Sequence, residues 1–370
     1  MKKICVVAGA RPNFMKVAPL IREFKKNTDV FECVLVHTGQ HYDRDMSEVF
    51  FEELEIPPPD VSLGVGGGTH AQQTARVMIA FEEYCLREKP DLVVVVGDVN
   101  STMACSIVAK KLNTRLAHVE AGLRSGDMGM PEEINRIVTD SLSDFFFVTE
   151  GNGVSCLLAE GKPKSNIHFV GHVMIDNLLY QMDKLRRVGS KGMISEQLKL
   201  KFGRYGVVTL HRPSNVDDRE TLQRIVRALN AVSERLPLIF PVHPRTRKSL
   251  DRFDIAMASS ILLTTPLSYL EFLNLWSAAA VVLTDSGGIQ EETTALGVPC
   301  VTLRENTERP VTVSEGTNTL VGSDPEAIVA IVEEICSGRA KTGARPALWD
   351  GRAAHRIIAT LREYERVGAI

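Results

Sequence analysis

The stretch VVLTDSGGIQEE (281–292) joins an apolar run to a glycine-containing turn and two glutamates. The run is typical of a strand buried on both faces, and a helix is predicted to begin near Gly287. In one interpretation, Gly287 and Gly288 let an anion such as a diphosphate approach the N–H groups of that helix. A carboxylate one turn later then suits a ribose. In the second interpretation, Ser286 or Asp285 is an ordinary N-cap and the glutamates complement the helix dipole. Both interpretations stay open at this point.

The same strand–turn–helix pattern recurs along the whole chain. Eleven apolar runs alternate with segments of helical length: 4–9, 31–38, 92–97, 115–120, 145–149, 167–171, 206–210, 238–242, 260–264, 280–284 and 299–303. Such alternation predicts parallel, doubly wound sheets. Eleven strands exceed the usual size of one open sheet, so we expect an α/β fold with two sheets.

The length of 370 residues also favours two domains. The polar, weakly patterned region 184–205 is the predicted division. We therefore expect a first domain over residues 1–183 and a second that begins at residue 184.

Composition excludes several classes of protein. The net charge of −3 and the lack of a Lys/Arg cluster argue against nucleic-acid and membrane-surface binding. Seven scattered cysteines without a CxxC pair indicate reduced thiols, a cytoplasmic location and no zinc site. No apolar stretch reaches 18 residues, so no membrane span is predicted.

Polar side chains stand where the apolar runs end. These residues are Arg11, Asp98, Glu120, His211, Arg212, His243, Asp285 and Ser286. Open α/β sheets bind ligands beyond the carboxyl ends of their strands. Because the set comes from both predicted sheets, we expect a site in a cleft between two domains.

Three acidic positions in the first half are candidate proton-transfer groups: Asp98, Glu120 and one of Glu132 and Glu133. Asp98 is alternatively a helix cap, and the acids after Pro131 are alternatively first-turn residues that complement the helix dipole. Glu120 is harder to explain structurally, because an acid at an apolar strand end is costly without a role.

Cations accompany these acids at Arg11, Lys16, Arg212, Arg245 and Arg309. Guanidinium groups suit diphosphate recognition. Most of the histidines, His118 among them, are interpreted as core residues satisfied by the backbone. His211 is the exception, because Arg212 and Pro213 fix a loop beside it.

Taken together, these motifs resemble the non-hydrolysing UDP-N-acetylglucosamine 2-epimerases, in order from the first strand to about residue 322. The matching segments are GARPNFMKVAPL (9–20), VGDVNSTMA (96–104), HVEAGLRSGD (118–127), PEEINR (131–136), TLHRPSNVDD (209–218), PVHPR (241–245), LTDSGGIQEE (283–292) and ENTERPVTV (305–313). The resemblance implies the GT-B architecture, with two Rossmann-like domains, a cleft between them and a last helix, about 352–370, that returns to the first domain. The second domain then spans residues 184–351. The family is usually homodimeric and needs no metal or nicotinamide cofactor.

The resemblance also implies residue roles. It makes Asp98, Glu120, Glu132 and His211 the catalytic set, with His211 as partner of the departing UDP. Ser286, Gly287 and Gly288 hold diphosphate, Glu292 holds ribose, and Arg11 and Arg309 are phosphate-side cations. Lys16, Arg212 and His243 complete the predicted substrate-binding set.

The implied reaction loses UDP from C1 together with the C2 proton, giving a glycal, and then re-adds UDP with protonation from the other face. The chain departs from the family at Asn13, where many relatives have Glu after GTRP, and at Gln40-His41-Tyr42-Asp43, where substrate-regulated members read QHR. Alternative functions are epimerisation of UDP-2,3-diacetamido-glucuronic acid, a hydrolysing epimerase, a GT-B glycosyltransferase and an inactive UDP-sugar sensor.

Overall fold

The apolar runs form the strands of two parallel sheets, because valine-, isoleucine- and leucine-rich strands are stable where both faces are covered. The computed structural model describes residues 1–39 and 55–370, except for the side chains of residues 11 and 12. These residues divide into two units, Met1–Tyr180 with Ala347–Ile370, and Gln181–Pro346. The divisions predicted from the sequence, 183/184 and 351/352, lie within a few residues of these.

The first unit contains a seven-stranded sheet within the described residues, ordered β3-β2-β1-β4-β5-β6-β7. Its strands pair in parallel throughout. They are β1 (Lys2–Ala8), β2 (Phe31–His37), β3 (Val61–Ser62), β4 (Leu92–Val96), β5 (Arg115–Val119), β6 (Phe145–Val148) and β7 (Ile167–Phe169).

The second unit contains a six-stranded parallel sheet, ordered β10-β9-β8-β11-β12-β13. Its strands are β8 (Gly206–Thr209), β9 (Leu238–Pro241), β10 (Ile261–Thr264), β11 (Val281–Thr284), β12 (Cys300–Thr302) and β13 (Asn318–Leu320).

Helices connect the strands in both units. Those that begin in the first unit are α1 (Arg11–Phe24), α2 (His70–Glu88), α3 (Asn100–Lys111), α4 (Pro131–Leu142), α5 (Gly151–Ala159) and α6 (Val173–Val188), with a short 3₁₀ turn at Lys164–Asn166. Those of the second unit are α7 (Ile194–Phe202), α8 (Pro213–Val216), α9 (Arg219–Ser233), α10 (Pro244–Phe253), α11 (Tyr269–Trp276), α12 (Gly287–Leu296), α13 (Pro310–Ser314) and α14 (Pro325–Cys336). The last helix, α15 (Ala353–Arg366), belongs to the first unit.

The predicted α/β fold class with two Rossmann-like parallel sheets, as in the GT-B architecture, is confirmed. The glycines of the stretch VGGGTHA (65–71) lie directly before α2, which has Thr69 as its N-cap, so they form a loop before a helix. Among the described residues, no helix has both the length and the apolar character that crossing a membrane requires.

Each sheet reverses its strand order at one point, and such switch points are where open α/β sheets bind ligands. In the first sheet the reversal lies between β1 and β4, which end just before Gly9 and Gly97. In the second it lies between β8 and β11, where Thr209 pairs with Thr284. His211 and Asp285 follow those two strands.

Candidate active site

The turn after β1 is tied to β4 by Asn13. Its side-chain oxygen accepts hydrogen bonds from the N–H groups of Gly9, at 3.2 Å, and Ala10, at 3.1 Å. Its amide donates to the carbonyl of Val96 at 3.0 Å. Asn13 therefore holds the two strands of the first switch point together.

The side chain of Arg11 and residues Gln40 to Asp43, singled out in the sequence, lie outside the described residues.

Glu120 lies at the end of β5 and is completely buried, at 0% exposure. It forms an ion pair with Lys16 of α1, which is itself buried. The backbone of Glu120 is left-handed, with φ of 75°. This conformation is strained for a residue other than glycine, and such strain is concentrated at functional sites.

Gly97 makes room for this ion pair. It follows β4 with φ of 70°, and a Cβ atom there would lie 3.1 Å from Oε2 of Glu120 and 3.2 Å from Nζ of Lys16. The structure thus brings the Lys16–Glu120 pair against the residue that precedes Asp98.

Asp98 forms an ion pair with Arg136 of α4, whose exposure is only 2%. The side-chain amide of Asn135 donates to the Asp98 carbonyl at 2.8 Å. The alternative role of Asp98 as a helix cap is wrong, because Val99 is the N-cap residue of α3. Two candidate acids, Glu120 and Asp98, therefore follow neighbouring strands, each with its own cation.

The structure distinguishes Glu132 from Glu133. The Glu133 carboxylate is buried and accepts hydrogen bonds from Ser125 N–H at 2.8 Å, Ser125 Oγ at 3.0 Å and Gly126 N–H at 3.1 Å. Glu133 therefore holds a loop. Glu132 is half-buried and, within the described chain, its carboxylate makes no hydrogen bond or ion pair. It precedes Arg136, the partner of Asp98, by one helical turn.

His118 is a core residue, as the sequence predicted. Its Nε2 lies 2.9 Å from the Gly97 carbonyl and its Nδ1 lies 2.7 Å from the Asp140 carboxylate. Arg124 also pairs with Asp140, at 2.8 Å. Burial opposes ionisation of Asp140, but the charges of His118 and Arg124 lower its pKa. This network holds the Gly97 carbonyl, next to Asp98, and sequence reasoning did not anticipate it.

In the second unit, Asp285 orients His211 across the switch point. The Nδ1 atom of His211 lies 3.0 Å from Oδ1 of Asp285, so Nδ1 donates and Nε2 is left for another partner. The N–H groups of His211 and Arg212 also donate to Asp285, at 3.0 and 2.9 Å. Burial opposes ionisation, but the hydrogen bond and charge of His211 and these N–H groups lower the pKa of Asp285.

His243 and His211 lie together, with ring centroids 5.8 Å apart. His243 caps α10, where its Nδ1 accepts from the N–H of Arg245 at 3.2 Å. Burial, with the charges of His211 and Arg245, lowers the pKa of His243. Arg245 itself is exposed and pairs with Asp217 at 2.9 Å, so the structure gives this cation a surface role.

Among the residues that the structure describes, the N-terminus of α12 lacks the side-chain hydrogen bond that an ordinary cap would make. Ser286 is the N-cap residue, but its hydroxyl makes no capping hydrogen bond within the described residues. Gln290 fixes the turn from inside, because its amide donates to the Ser286 carbonyl at 3.2 Å and its Oε1 accepts from Thr307 Oγ1 at 2.7 Å. Helix N–H groups with no side-chain cap favour an anion.

Glu291 and Glu292 have different surroundings one residue apart. Glu291 is buried and forms an ion pair with Arg309, the predicted phosphate-side cation. Glu292 accepts a hydrogen bond from the Tyr269 hydroxyl at 3.0 Å. Burial and the neighbouring Glu291 charge raise the pKa of Glu292 to about 8. The Glu292 carboxyl is therefore largely protonated at neutral pH.

The comparisons with known proteins agree with this arrangement. The family model of the UDP-N-acetylglucosamine 2-epimerases matches residues 22–362. A UDP-N-acetylglucosamine 2-epimerase of Methanococcus maripaludis is 42% identical over 341 residues, 90% of this chain and 92% of the relative. A UDP-2,3-diacetamido-2,3-dideoxy-D-glucuronate 2-epimerase of Pseudomonas aeruginosa is also 42% identical, over 88% of this chain and 90% of the relative.

A solved structure of a relative is also similar to this chain. The UDP-GlcNAc 2-epimerase of Methanocaldococcus jannaschii, in complex with UDP-GlcNAc and UDP, matches with a TM-score of 0.86 and 39% identity. The match covers 98% of this chain and 99% of that one. This chain belongs to the UDP-N-acetylglucosamine 2-epimerase family of isomerases.

Proposed function

We propose that the protein interconverts UDP-N-acetylglucosamine and UDP-N-acetylmannosamine by reversible elimination of UDP. The C1–O bond to UDP breaks while a base removes the C2 proton, and the double bond of 2-acetamidoglucal forms between C1 and C2. UDP then re-adds at C1 while an acid protonates C2 from the other face. Both steps of this route move a proton and UDP and neither transfers a hydride, so no nicotinamide cofactor takes part, and we expect activity without an added metal.

The observation that carries this proposal is the arrangement of Glu120 and Asp98 in a member of this family. They end neighbouring strands, and each is paired with its own cation, Lys16 or Arg136. Inversion at C2 requires acid–base groups on two faces of one carbon, and two separately held carboxylates suit that requirement. Glu132 is the proposed third member, since Glu133 is occupied by the loop at Ser125.

The second unit supplies the proposed nucleotide contacts. Ser286, Gly287 and Gly288 bind the diphosphate at the α12 N-terminus, with Arg212 and Arg309 as cations, and Glu292 binds the ribose. His211, oriented by Asp285, stabilises the departing UDP. Lys16, Arg11 and His243 complete the proposed substrate-binding set.

The proposal is tested by proton NMR of the purified protein with UDP-N-acetylglucosamine, in the presence of a chelator and without NAD. We expect the mannosamine nucleotide to accumulate to an equilibrium mixture. A strict requirement for NAD or a divalent ion contradicts the mechanism. Stoichiometric free UDP indicates a hydrolysing enzyme, and no reaction without an acceptor indicates a glycosyltransferase.

The Pseudomonas aeruginosa relative supports a second candidate substrate, because it is as similar as the Methanococcus one. The same assay with UDP-2,3-diacetamido-glucuronic acid separates the two. The sequence ENTERP (305–310) favours the acetylglucosamine nucleotide, since the glucuronate branch tends to have Trp after TE. A higher kcat/KM for the diacetamido substrate reverses this assignment.

We further propose a cytoplasmic homodimer without nucleic-acid or membrane partners. The seven cysteines are all free, which suits a reducing compartment. Ile79 and Leu86 of α2 are 61% and 58% exposed and lie seven residues apart on one face, which suits a protein–protein surface. Sedimentation velocity tests the dimer.

A further inference from the structure

A carboxylate occupies the anion-favouring position beside the start of α12. A Cβ atom placed on Gly287 would lie 3.6 Å from Oε2 of Glu308, so this carboxylate packs against the first residue of the helix. Glu308 is 9% exposed. Helix N-termini stabilise negative charge, and a buried glutamate there takes a place that suits a ligand phosphate.

Cations surround Glu308. Arg304 Nη2 donates to Glu308 Oε1 at 3.0 Å, and the two side chains are 10% and 11% exposed. Burial opposes ionisation of Glu308, but the charges of Arg304, Arg309 and Arg212 lower its pKa. The Glu308 carboxylate therefore pairs with Arg304 and also feels the charges of Arg309 and Arg212, of which Arg309 is itself paired with Glu291.

These cations retain unused hydrogen-bonding capacity. The Nη1 atom of Arg304 and the Nε atom of Arg212 are buried and have no hydrogen-bond partner among the described residues. Leaving a buried donor unsatisfied is costly, so such donors indicate a missing acceptor. An oxygen-rich anion at the α12 N-terminus would supply acceptors that the single Glu308 carboxylate does not.

We propose that Arg304 is a diphosphate-binding residue and that Glu308 is a built-in counter-anion that positions Arg304 and competes with the diphosphate. The inference rests on the proposed function, because it concerns the nucleotide subsite of that reaction. The inference has a measurable consequence. The negative charge of Glu308 keeps the affinity for UDP lower than Arg304, Arg309 and Arg212 would give without it.

Isothermal titration with UDP and with uridine tests both parts, because only UDP carries the diphosphate. Arg304→Ala should raise the Kd for UDP about 10- to 100-fold, since a charge-assisted hydrogen bond is lost, and leave the Kd for uridine unchanged. Glu308→Gln keeps an oxygen for Arg304 and removes the charge. It should lower the Kd for UDP by about 3-fold or more, because the repulsion of the diphosphate is gone.

The chain offers a matched control pair, Arg235 and Glu333, which form an exposed ion pair in the same unit. Arg235→Ala and Glu333→Gln should leave both Kd values unchanged. If Arg304→Ala lowers the unfolding midpoint, the milder variant Arg304→Lys is measured in its place. We then expect Arg304→Lys to lose less UDP affinity than the alanine variant would, with uridine binding intact.

Other outcomes overturn the inference. An unchanged UDP affinity in Arg304→Ala and Arg304→Lys removes Arg304 from the site, and weaker UDP binding in Glu308→Gln shows that Glu308 acts only as a positioning residue. If wild type binds UDP no more tightly than uridine, the proposed diphosphate site is wrong and this inference falls with it. If wild type prefers UDP and the variants behave like the controls, only this inference falls.

Discussion

Glu120 stands at a position that destabilises the fold in two ways. Its left-handed backbone costs about 1–3 kcal/mol, and its buried charge requires a partner, which Lys16 supplies. Removing one partner of a buried ion pair typically costs about 3–5 kcal/mol. A purely structural position would not be expected to keep both features, so their combination supports a role for Glu120 in the chemistry.

Glu120→Gln tests that role with little change in shape. The amide oxygen still accepts from Lys16, but the side chain no longer exchanges a proton. We expect kcat to fall by ~10²–10⁴, the usual contribution of a proton-transfer group, with a small change in KM. Steady-state kinetics gives both values. Glu363→Gln, at an exposed position of α15 in the same unit, is the control, and a Glu120→Gln variant with the control's kcat removes Glu120 from the mechanism.

Glu292 makes the stability of the second unit depend on pH. Burial raises its pKa from 4.5 to about 8, so the folded state binds a proton more tightly than the unfolded chain does. This contribution is fully present below pH 4.5 and is lost as the pH rises through about 8. A tenfold difference in proton affinity between the folded and unfolded states corresponds to about 1.4 kcal/mol of stability.

We therefore expect the unfolding midpoint of wild type to fall relative to that of Glu292→Gln between mildly acidic and alkaline pH. The glutamine keeps an acceptor for Tyr269 but does not titrate. Differential scanning fluorimetry of both proteins across this range measures the difference. Parallel curves would mean that Glu292 titrates near its ordinary value.

At the scale of elements, the C-terminal helix α15 is capped by another helix. Asp176 of α6 accepts hydrogen bonds from the N–H groups of Ala353, at 3.1 Å, and Ala354, at 2.7 Å. The helix's own N-cap residue, Arg352, makes no side-chain capping bond within the described chain. The cap therefore depends on a residue about 180 positions earlier in the sequence.

Asp176→Ala should destabilise the protein by about 1–2 kcal/mol, the upper range for loss of a helix cap. It should also expose residues 347–370 to protease before the rest of the chain. Thermal unfolding and limited proteolysis with mass spectrometry measure the two effects. Asp183→Ala is the control on an exposed position of the same helix, and equal behaviour of both variants contradicts the capping role.

Element identity followed from the sequence where the pattern was long and apolar, as in β4, whose residues are all buried. The strands β3 and β13 were not predicted, because Val61–Ser62 and Asn318–Leu320 are short and partly polar. These two strands are defined by pairing with β2 and β12, which is a tertiary property.

Site residues were likewise predictable where the local sequence pattern was clear. A polar residue after a strand is visible in the sequence, so Asp98, Glu120 and His211 were predicted. Their partners depend on sheet order and helix phase, which is why the link of Arg136 to Asp98 and of Asp285 to His211 emerged only from the structure. The position of Asp285 after an apolar run could have indicated its pairing with His211.

At the scale of the whole molecule, the two units carry different halves of the proposed chemistry. Carboxylates with paired cations mark the switch point of the first sheet, whereas arginines, a helix N-terminus and a histidine–aspartate pair mark that of the second. Elimination requires both halves, because proton removal at C2 is productive only if the diphosphate charge that develops at C1 is stabilised.

Turnover in D₂O should place deuterium at C2 of the sugar while C1 of nearly all product remains linked to UDP. A base that removes the proton from one face cannot readily return it to the other, so a different acid protonates C2. That acid, in exchange with water, delivers solvent deuterium. The helix N-terminus at Ser286 and the arginines retain UDP until it re-adds, and occasional escape should release a trace of UDP and 2-acetamidoglucal. Mass spectrometry of the product, with substrate kept in D₂O without enzyme as the control, measures the label. Absence of deuterium at C2 rules out this mechanism, and an oxidised sugar nucleotide intermediate would indicate a keto-sugar route instead.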